Sequence, residues 1–221
     1  SLAIHLSPVS ECCSRPTRKS KLGAVHEGET NRMRNLLVAQ EAANYLRRAR
    51  RIMVIGCSGG GKSTLSRKIA AALDLPNHSM DREVFWLPNW VQRPRVEQRA
   101  ILSEIVKADR WLLDGTNPSS FDIRLPRTDL IIWVRLPRWR CLMGVFRRAR
   151  RHIGRHRPDM ADGCVEQWPD REFLSYIWHF ERRFAPRIIQ EIERHGPNVP
   201  VVTLKSHGEM AQLLDLAGLP H

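Results

Sequence analysis

The chain has 221 residues, 42% of them hydrophobic, with 36 Lys and Arg against 23 Asp and Glu for a net charge of +13. That length and apolar content suit one well-buried α/β domain that need not be divided. The five cysteines, Cys12, Cys13, Cys57, Cys141 and Cys164, form neither a C-x-x-C pair nor a Cys/His cluster, which argues against structural zinc and a disulfide framework. No apolar stretch nears the ~20 residues that span a bilayer, so no membrane partner and a cytoplasmic location are expected.

Residues 1 to 34 mix Ser, Pro, Gly, Cys and charge without periodicity and read as a disordered tail. Met33 is a candidate native start, which an intact mass from the native locus would test. The remaining 35–221 read as a single domain. Asn35 to Arg50 predicts a lead-in helix, and Ile52-Met53-Val54-Ile55 a buried parallel strand. Gly56 to Ser63 then reads G-C-S-G-G-G-K-S, a complete G-x-x-x-x-G-K-[ST] phosphate loop, and Leu65, Ile69, Ala72 and Leu73 continue at helical spacing. Strand, loop and helix stand in the order that such a loop needs.

The residue types explain the chemistry. Glycines let the backbone approach a phosphate closely, so the amides of Gly56, Cys57, Ser58, Gly59, Gly60, Gly61, Lys62, Ser63 and Thr64 form the candidate nucleotide cradle at a helix N-terminus. Lys62 would reach the β- and γ-phosphates of ATP, and the Ser63 hydroxyl would ligate Mg²⁺.

Leu75-Pro76 ends that helix, and His78 to Asp81 predicts a short second strand with a carboxylate at its C-terminal end. Asp81 is either the acceptor's hydrogen-bond partner and base or a turn cap before Arg82. Phe85, Trp86, Pro88 and Trp90 either stack on an acceptor ring or pack in the core or against a lid. A helix from Val96 to Ala108 precedes a third strand, Trp111 to Gly115, whose Asp114 is a Mg²⁺ candidate or a solvated strand-end residue. Arg124 and Arg127 follow in a loop where an acceptor would be held. Leu130 to Val134 is the fourth strand.

From Leu130 to Pro158 there is no acidic residue and there are nine arginines, on a helix from Trp139 to His152 and just beyond. Arg147 and Arg151 share a helix face and would neutralise a transferred phosphoryl group. The same charge could lie on nucleic acid or form a solvated face, although no nucleic-acid-binding motif is visible. An irregular stretch to Pro169 leads into a long helix, Asp170 to His195, with Pro186 as a kink. Val199 to Leu204 is the fifth strand, and Glu209 to Leu216 the closing helix. Alternating strands and helices imply a parallel sheet covered on both faces, with ligands at the C-terminal strand ends. Oligomeric state is left open.

Taken together, Arg51 to Leu216 resembles the adenylate-kinase-like branch of P-loop kinases, most closely the bacterial DNA topology modulation proteins of the FlaR type. The phrases that carry the resemblance are G-C-S-G-G-G-K-S-T at Gly56, D-R-E-V-F-W-L-P-N-W at Asp81 and W-L-L-D-G-T at Trp111. R-T-D-L-I-I-W-V at Arg127 and R-P-D-M-A-D-G-C-V-E at Arg157 complete them. The resemblance implies a P-loop NTPase three-layer fold, a five-stranded parallel sheet in the order 2-3-1-4-5, and an arginine-rich lid over approximately 147–170. It also implies an ATP- and Mg²⁺-dependent kinase acting on a small molecule. The sequence departs from adenylate kinase in having D-G-T-N-P at Asp114 where D-G-F-P-R would hold AMP. The rival expectation is an ATP-dependent nucleic-acid-associated regulator without kinase activity.

Overall fold

Strands β2 (Arg51–Gly56), β6 (Trp111–Asp114), β7 (Leu130–Val134) and β8 (Val201–Leu204) are apolar runs buried almost throughout. Runs of that kind are what a parallel sheet covered on both faces requires. The computed structural model describes residues 3–4, 38–155 and 160–220. In it β2 lies at the centre, parallel to β6 on one side and to β7 on the other, with β3 (Asn77–Ser79) beyond β6 and β8 beyond β7.

The sheet has six strands rather than five. Two residues near the start, β1 (Ala3–Ile4), pair antiparallel with β8, giving the order β1-β8-β7-β2-β6-β3. The expected five-stranded sheet in the order 2-3-1-4-5 is corrected to six strands: β3-β6-β2-β7-β8 run in that order and β1 is added beside β8, because a strand of two residues carries no periodicity from which to expect it. The rest of the proposed tail lies outside the described residues. A separate ribbon joins β4 (Trp86–Leu87) to β5 (Val91–Gln92).

Helix α1, residues 38–48, buries Ala39, Ala42, Ala43 and Leu46, the spacing of one helical face. α2 (Lys62–Leu73) leaves the loop and lies over β2, β6 and β3, burying Leu65, Ser66, Ile69 and Ala70. α3 (Arg95–Ile105) and α4 (Phe121–Arg124) connect β5 to β6 and β6 to β7. α5 (Arg138–His152) buries Cys141, Val145 and Ala149, and its C-terminal turn is basic, which suits the negative end of the helix dipole.

The expected long helix over Asp170–His195 is two helices, α6 (Arg171–Arg183) and α7 (Ala185–His195), separated at Phe184. Pro186 falls in the first turn of α7, where its missing N–H costs nothing; within one continuous helix it would remove a hydrogen bond and clash with the preceding turn. α8 (His207–Ala217) is capped by Ser206, whose Oγ accepts from Glu209 N, while the Glu209 carboxylate accepts from Lys205 N.

At the N-terminal ends of the strands, Asp129 ties β2 to β7. It accepts from the backbone N–H groups of Arg50 and Arg51 and pairs with Arg51 Nη2 at 2.7 Å. The C-terminal ends are thereby left to the loops that carry chemistry. Among the described residues no helix is long and apolar enough to cross a membrane.

Candidate functional site

The phosphate loop is held from both sides before any ligand is considered. At its start, Gly56 N donates to Thr116 Oγ1 and the Thr116 hydroxyl donates to Gly56 O, both at 2.7 Å. Thr116 thus bolts the end of β2 to the turn after β6. At its crest Gly59 has φ +79°, and a Cβ there would stand 2.1 Å from the Cys141 carbonyl oxygen of α5. The contact is reciprocal: a Cβ on Gly144 would stand 2.1 Å from Gly59 O. Loop and helix meet backbone to backbone, which only paired glycines permit.

Gly61 caps α2 in a left-handed conformation and makes no side-chain cap hydrogen bond. First-turn amides and the positive end of a helix dipole are the groups that suit an anion. Lys62 Nζ donates to Cys57 O at 2.8 Å, so the ammonium lies over the loop. The Ser63 side chain follows it, half-buried.

Two carboxylates stand near the same end of the sheet. Asp114 is 7% exposed and closes β6, in register with Val54 of β2 on one side and Ser79 of β3 on the other. Asp81 is exposed and lies in a wide helical turn, Met80–Phe85, so the expected strand ends two residues earlier, at Ser79. The turn forms because Ser79 caps it and Glu83 folds back: Ser79 Oγ accepts from Arg82 N, and Glu83 accepts from Ser79 N and bonds His78 Nδ1. Burial opposes the charge on Glu83, but hydrogen bonds from His78 and Arg82 outweigh it and hold the carboxyl below its ordinary range.

Side chains from three further helices face this region. Tyr176 of α6 has its hydroxyl pushed well above the usual range by burial first and then by the nearby Cys57 and Asp81. It lines a cavity of about 390 Å³ together with Arg171, Glu172, Ser175, Arg183 and Phe184. His207 of α8 brings Nε2 to 3.6 Å from the position of a Cβ on Gly61. Burial, followed by the charges of Arg140 and Arg147, pushes its pKa below the ordinary value. Arg140 and Arg147 of α5 therefore stand on the Gly61 side of the loop.

No protein-family model and no curated relative matches the sequence. Among solved structures, a shikimate kinase from Acinetobacter baumannii in complex with shikimate superposes with a TM-score of 0.52 at 15% identity, over 80% of this chain and 93% of that one. The chain shares the α/β fold of that structure. A shikimate kinase from Bacteroides thetaiotaomicron (TM-score 0.46, 15% identity, 77% and 97% coverage) is also similar. So is a deoxyadenosine kinase from M. mycoides with bound dCTP (TM-score 0.39, 14% identity, 74% and 96% coverage).

Within that fold the loop residues, Asp81 and Asp114 lie at the C-terminal strand ends, whereas Arg124 and Arg127 are engaged elsewhere. Arg124 is fully buried, donating to Gly115 O and Asn117 O and lying 4.9 Å from the Phe121 ring. Burial pushes its pKa down to about 9, still high enough to keep the guanidinium charged at neutral pH. Its work is to shape the turn after β6. Arg127 precedes β7 at the opposite end of the sheet, bonded to Lys107 O and 3.6 Å from Asp109.

Arg147 and Arg151 are exposed on α5, and the first turn and a half of the expected lid is simply this helix. Beyond it, Ile153 bridges Glu166, and buried Glu166 pairs with Arg148 at 3.0 Å. Residues 156–159, which include the first three of the R-P-D-M phrase, lie outside the described residues. The aromatic segment serves this return loop: Trp90 Nε1 donates to Val165 O, Cys164 Sγ donates to Leu87 O, and Trp86 and Trp90 meet edge-on over Met160, Ala161 and Cys164.

Thr116, Gly144, Tyr176 and His207 were not singled out as site residues from the sequence. A glycine inside the predicted helix was the one available signal, for Gly144. Thr116 closes the W-L-L-D-G-T phrase, and Tyr176 and His207 are single polar residues without a motif.

Proposed function

We propose that this protein is an ATP-dependent phosphotransferase, moving the terminal phosphoryl group of ATP onto a small hydroxyl- or phosphate-bearing acceptor such as a nucleoside or nucleotide. One observation carries this reading: the folded glycine loop runs into the N-terminus of α2, and the Lys62 ammonium lies back over that loop on the Cys57 carbonyl. That donor set fits a triphosphate.

Ser63 and Asp114 would hold Mg²⁺, since hydroxyl and carboxylate oxygens are the donors a hard cation selects. When bound, the ion neutralises charge on the β- and γ-phosphates. Lys62 adds a point charge, and Arg147 and Arg151 supply guanidinium donors from α5. Asp81 accepts the proton of an acceptor hydroxyl. The cavity beside Tyr176 has Arg171 and Arg183 as well as Glu172 on its wall, and Tyr176 lies within electrostatic reach of Asp81, which supports a small polar acceptor there.

The resemblance to FlaR-type proteins and to the adenylate-kinase-like branch belongs to this proposal. The position of Arg140 and Arg147 beside His207 supports closure over phosphate rather than use of α5 on nucleic acid.

A screen of nucleosides, nucleotides and small hydroxy acids with γ-labelled ATP tests it. At least one acceptor should become labelled, and Lys62→Ala should abolish labelling while melting as the parent does. A blank screen with tight, salt-sensitive duplex binding would overturn the kinase in favour of a nucleic-acid regulator.

A further inference from the structure

Cys57 and Cys141 are remote in the chain and adjacent in the fold. Cys57 is the second residue of the phosphate loop, and Cys141 lies in the first turn of α5, on its buried face. The loop is pressed onto that face. A Cβ on Gly60 would stand 3.2 Å from Cys57 O and 3.9 Å from Cys141 Sγ, and the Cys141 carbonyl already fills the space over Gly59. The two thiols are close enough to perturb each other, Cys141 Sγ donates to Leu136 O, and both are buried, at 7% and 1% exposure. Phosphate binding by the loop uses backbone amides, so the nucleotide site has no need of either sulfur.

We propose that Cys57 and Cys141 form a modification site, a thiol pair that hydrogen peroxide closes to a disulfide, tying the phosphate loop to α5. The pair is chemically unequal. The neighbouring Cys57 thiol first, and the nearby Lys62 ammonium after it, hold Cys141 below the ordinary thiol range against the effect of burial, while the Cys141 thiol and burial push Cys57 up. Cys141 is therefore the nucleophile and Cys57 the resolving thiol.

In the first step the Cys141 thiolate attacks one peroxide oxygen. An S–O bond forms, the O–O bond breaks, and the departing hydroxide takes a proton and leaves as water. In the second, the Cys57 sulfur attacks the sulfenic sulfur. An S–S bond forms, the S–O bond breaks, and the hydroxyl leaves with the Cys57 proton as a second water. Two thiols and one peroxide become one disulfide and two waters, with sulfur oxidised by two electrons and peroxide oxygen reduced.

Burial makes the reaction conditional on the loop opening. A nucleotide seated on the loop, on the reading proposed above, opposes that opening and protects the pair. Once closed, the bond holds the loop against a helix it already touches, and its amides lose the freedom to adjust to a phosphate.

The test uses the full chain treated with hydrogen peroxide, followed by non-reducing peptide mapping and by ATP titration before and after reduction. The expected result is a cross-linked pair of peptides containing Cys57 and Cys141, at least about tenfold weaker MgATP binding, and recovery on reduction. Saturating ATP should slow cross-linking several-fold. Cys141→Ser, with Cys141→Ala as a second variant should serine disturb the fold, should bind ATP as the reduced parent does and lose the response to peroxide. Separate sulfinic acids at the two cysteines, or a cross-link that leaves ATP affinity unchanged, would overturn the proposal. A reduced protein that binds no ATP yet still forms the cross-link upholds the modification site and overturns the nucleotide reading.

Discussion

Replacing Gly59 by alanine should damage this protein twice over. The residue sits at φ +79°, where a Cβ costs about 1–2 kcal/mol. That Cβ would also lie 2.1 Å from a backbone oxygen of α5, a distance no real Cβ adopts. Neither partner is the far end of a flexible side chain, so loop and helix must separate by about 1 Å, and overpacking of that kind costs about 1–3 kcal/mol. The total is about 2–5 kcal/mol, or about 4–20 °C in melting temperature for a chain of this size.

Gly154→Ala is the matched control. It has a similar φ of +70° and nothing within 4 Å of the added carbon, so it should cost only the conformational share, about 1–2 kcal/mol. Thermal melts followed by circular dichroism measure both, and ATP titration of the Gly59 variant should show at least about tenfold weaker binding, because the loop amides have moved. If the two variants melt within about 2 °C of each other and the Gly59 variant binds ATP as the parent does, the backbone-to-backbone contact is not what holds the loop.

Thr116→Val removes the hydroxyl that both accepts from and donates to Gly56 while keeping the side-chain shape; the loss should be about 1–3 kcal/mol by urea denaturation, accompanied by weaker nucleotide binding. Asp129→Asn tests the anchor at the other end of the sheet. Burial alone would raise the Asp129 pKa, but bonds from Arg51 and the backbone N–H groups of Arg50 and Arg51 depress it below 3.8. Its contribution is therefore complete above pH 3.8 and lost as pH falls through the lower folded value, so parent and variant should differ by about 1–3 kcal/mol at neutral pH and converge in strong acid. His207 has a depressed pKa as a base, so the unfolded chain binds the proton first and stability should fall as pH drops below 6.5. His207→Gln should flatten that slope, and an NMR titration of the imidazole should show its pKa rising when ATP is added.

The parts of this protein legible in its sequence are those whose signal is local. A phosphate loop needs consecutive glycines, a lysine and a hydroxyl between a strand and a helix, so Gly56 to Ser63 identified itself, and the unbroken apolar runs of β2, β6 and β7 marked strands buried on both faces. The place of Asp114 at the C-terminal end of β6 was legible because it closes such a run. Arg124 and Arg127 were misjudged because a sequence does not reveal which way a loop side chain turns: one is buried against carbonyl oxygens, and the other stands at the wrong end of the sheet.

The two-residue β1 lacked the length to show a period, and Pro186 announced an interruption without saying whether it bends one helix or separates two. Composition and spacing determined that a phosphate-loop motif lies between a strand and a helix. Only the tertiary structure brought α5 against the loop, setting Gly144 on Gly59 and Cys141 beside Cys57, because contacts between segments so far apart arise from how the layers pack and leave no periodic trace in the chain.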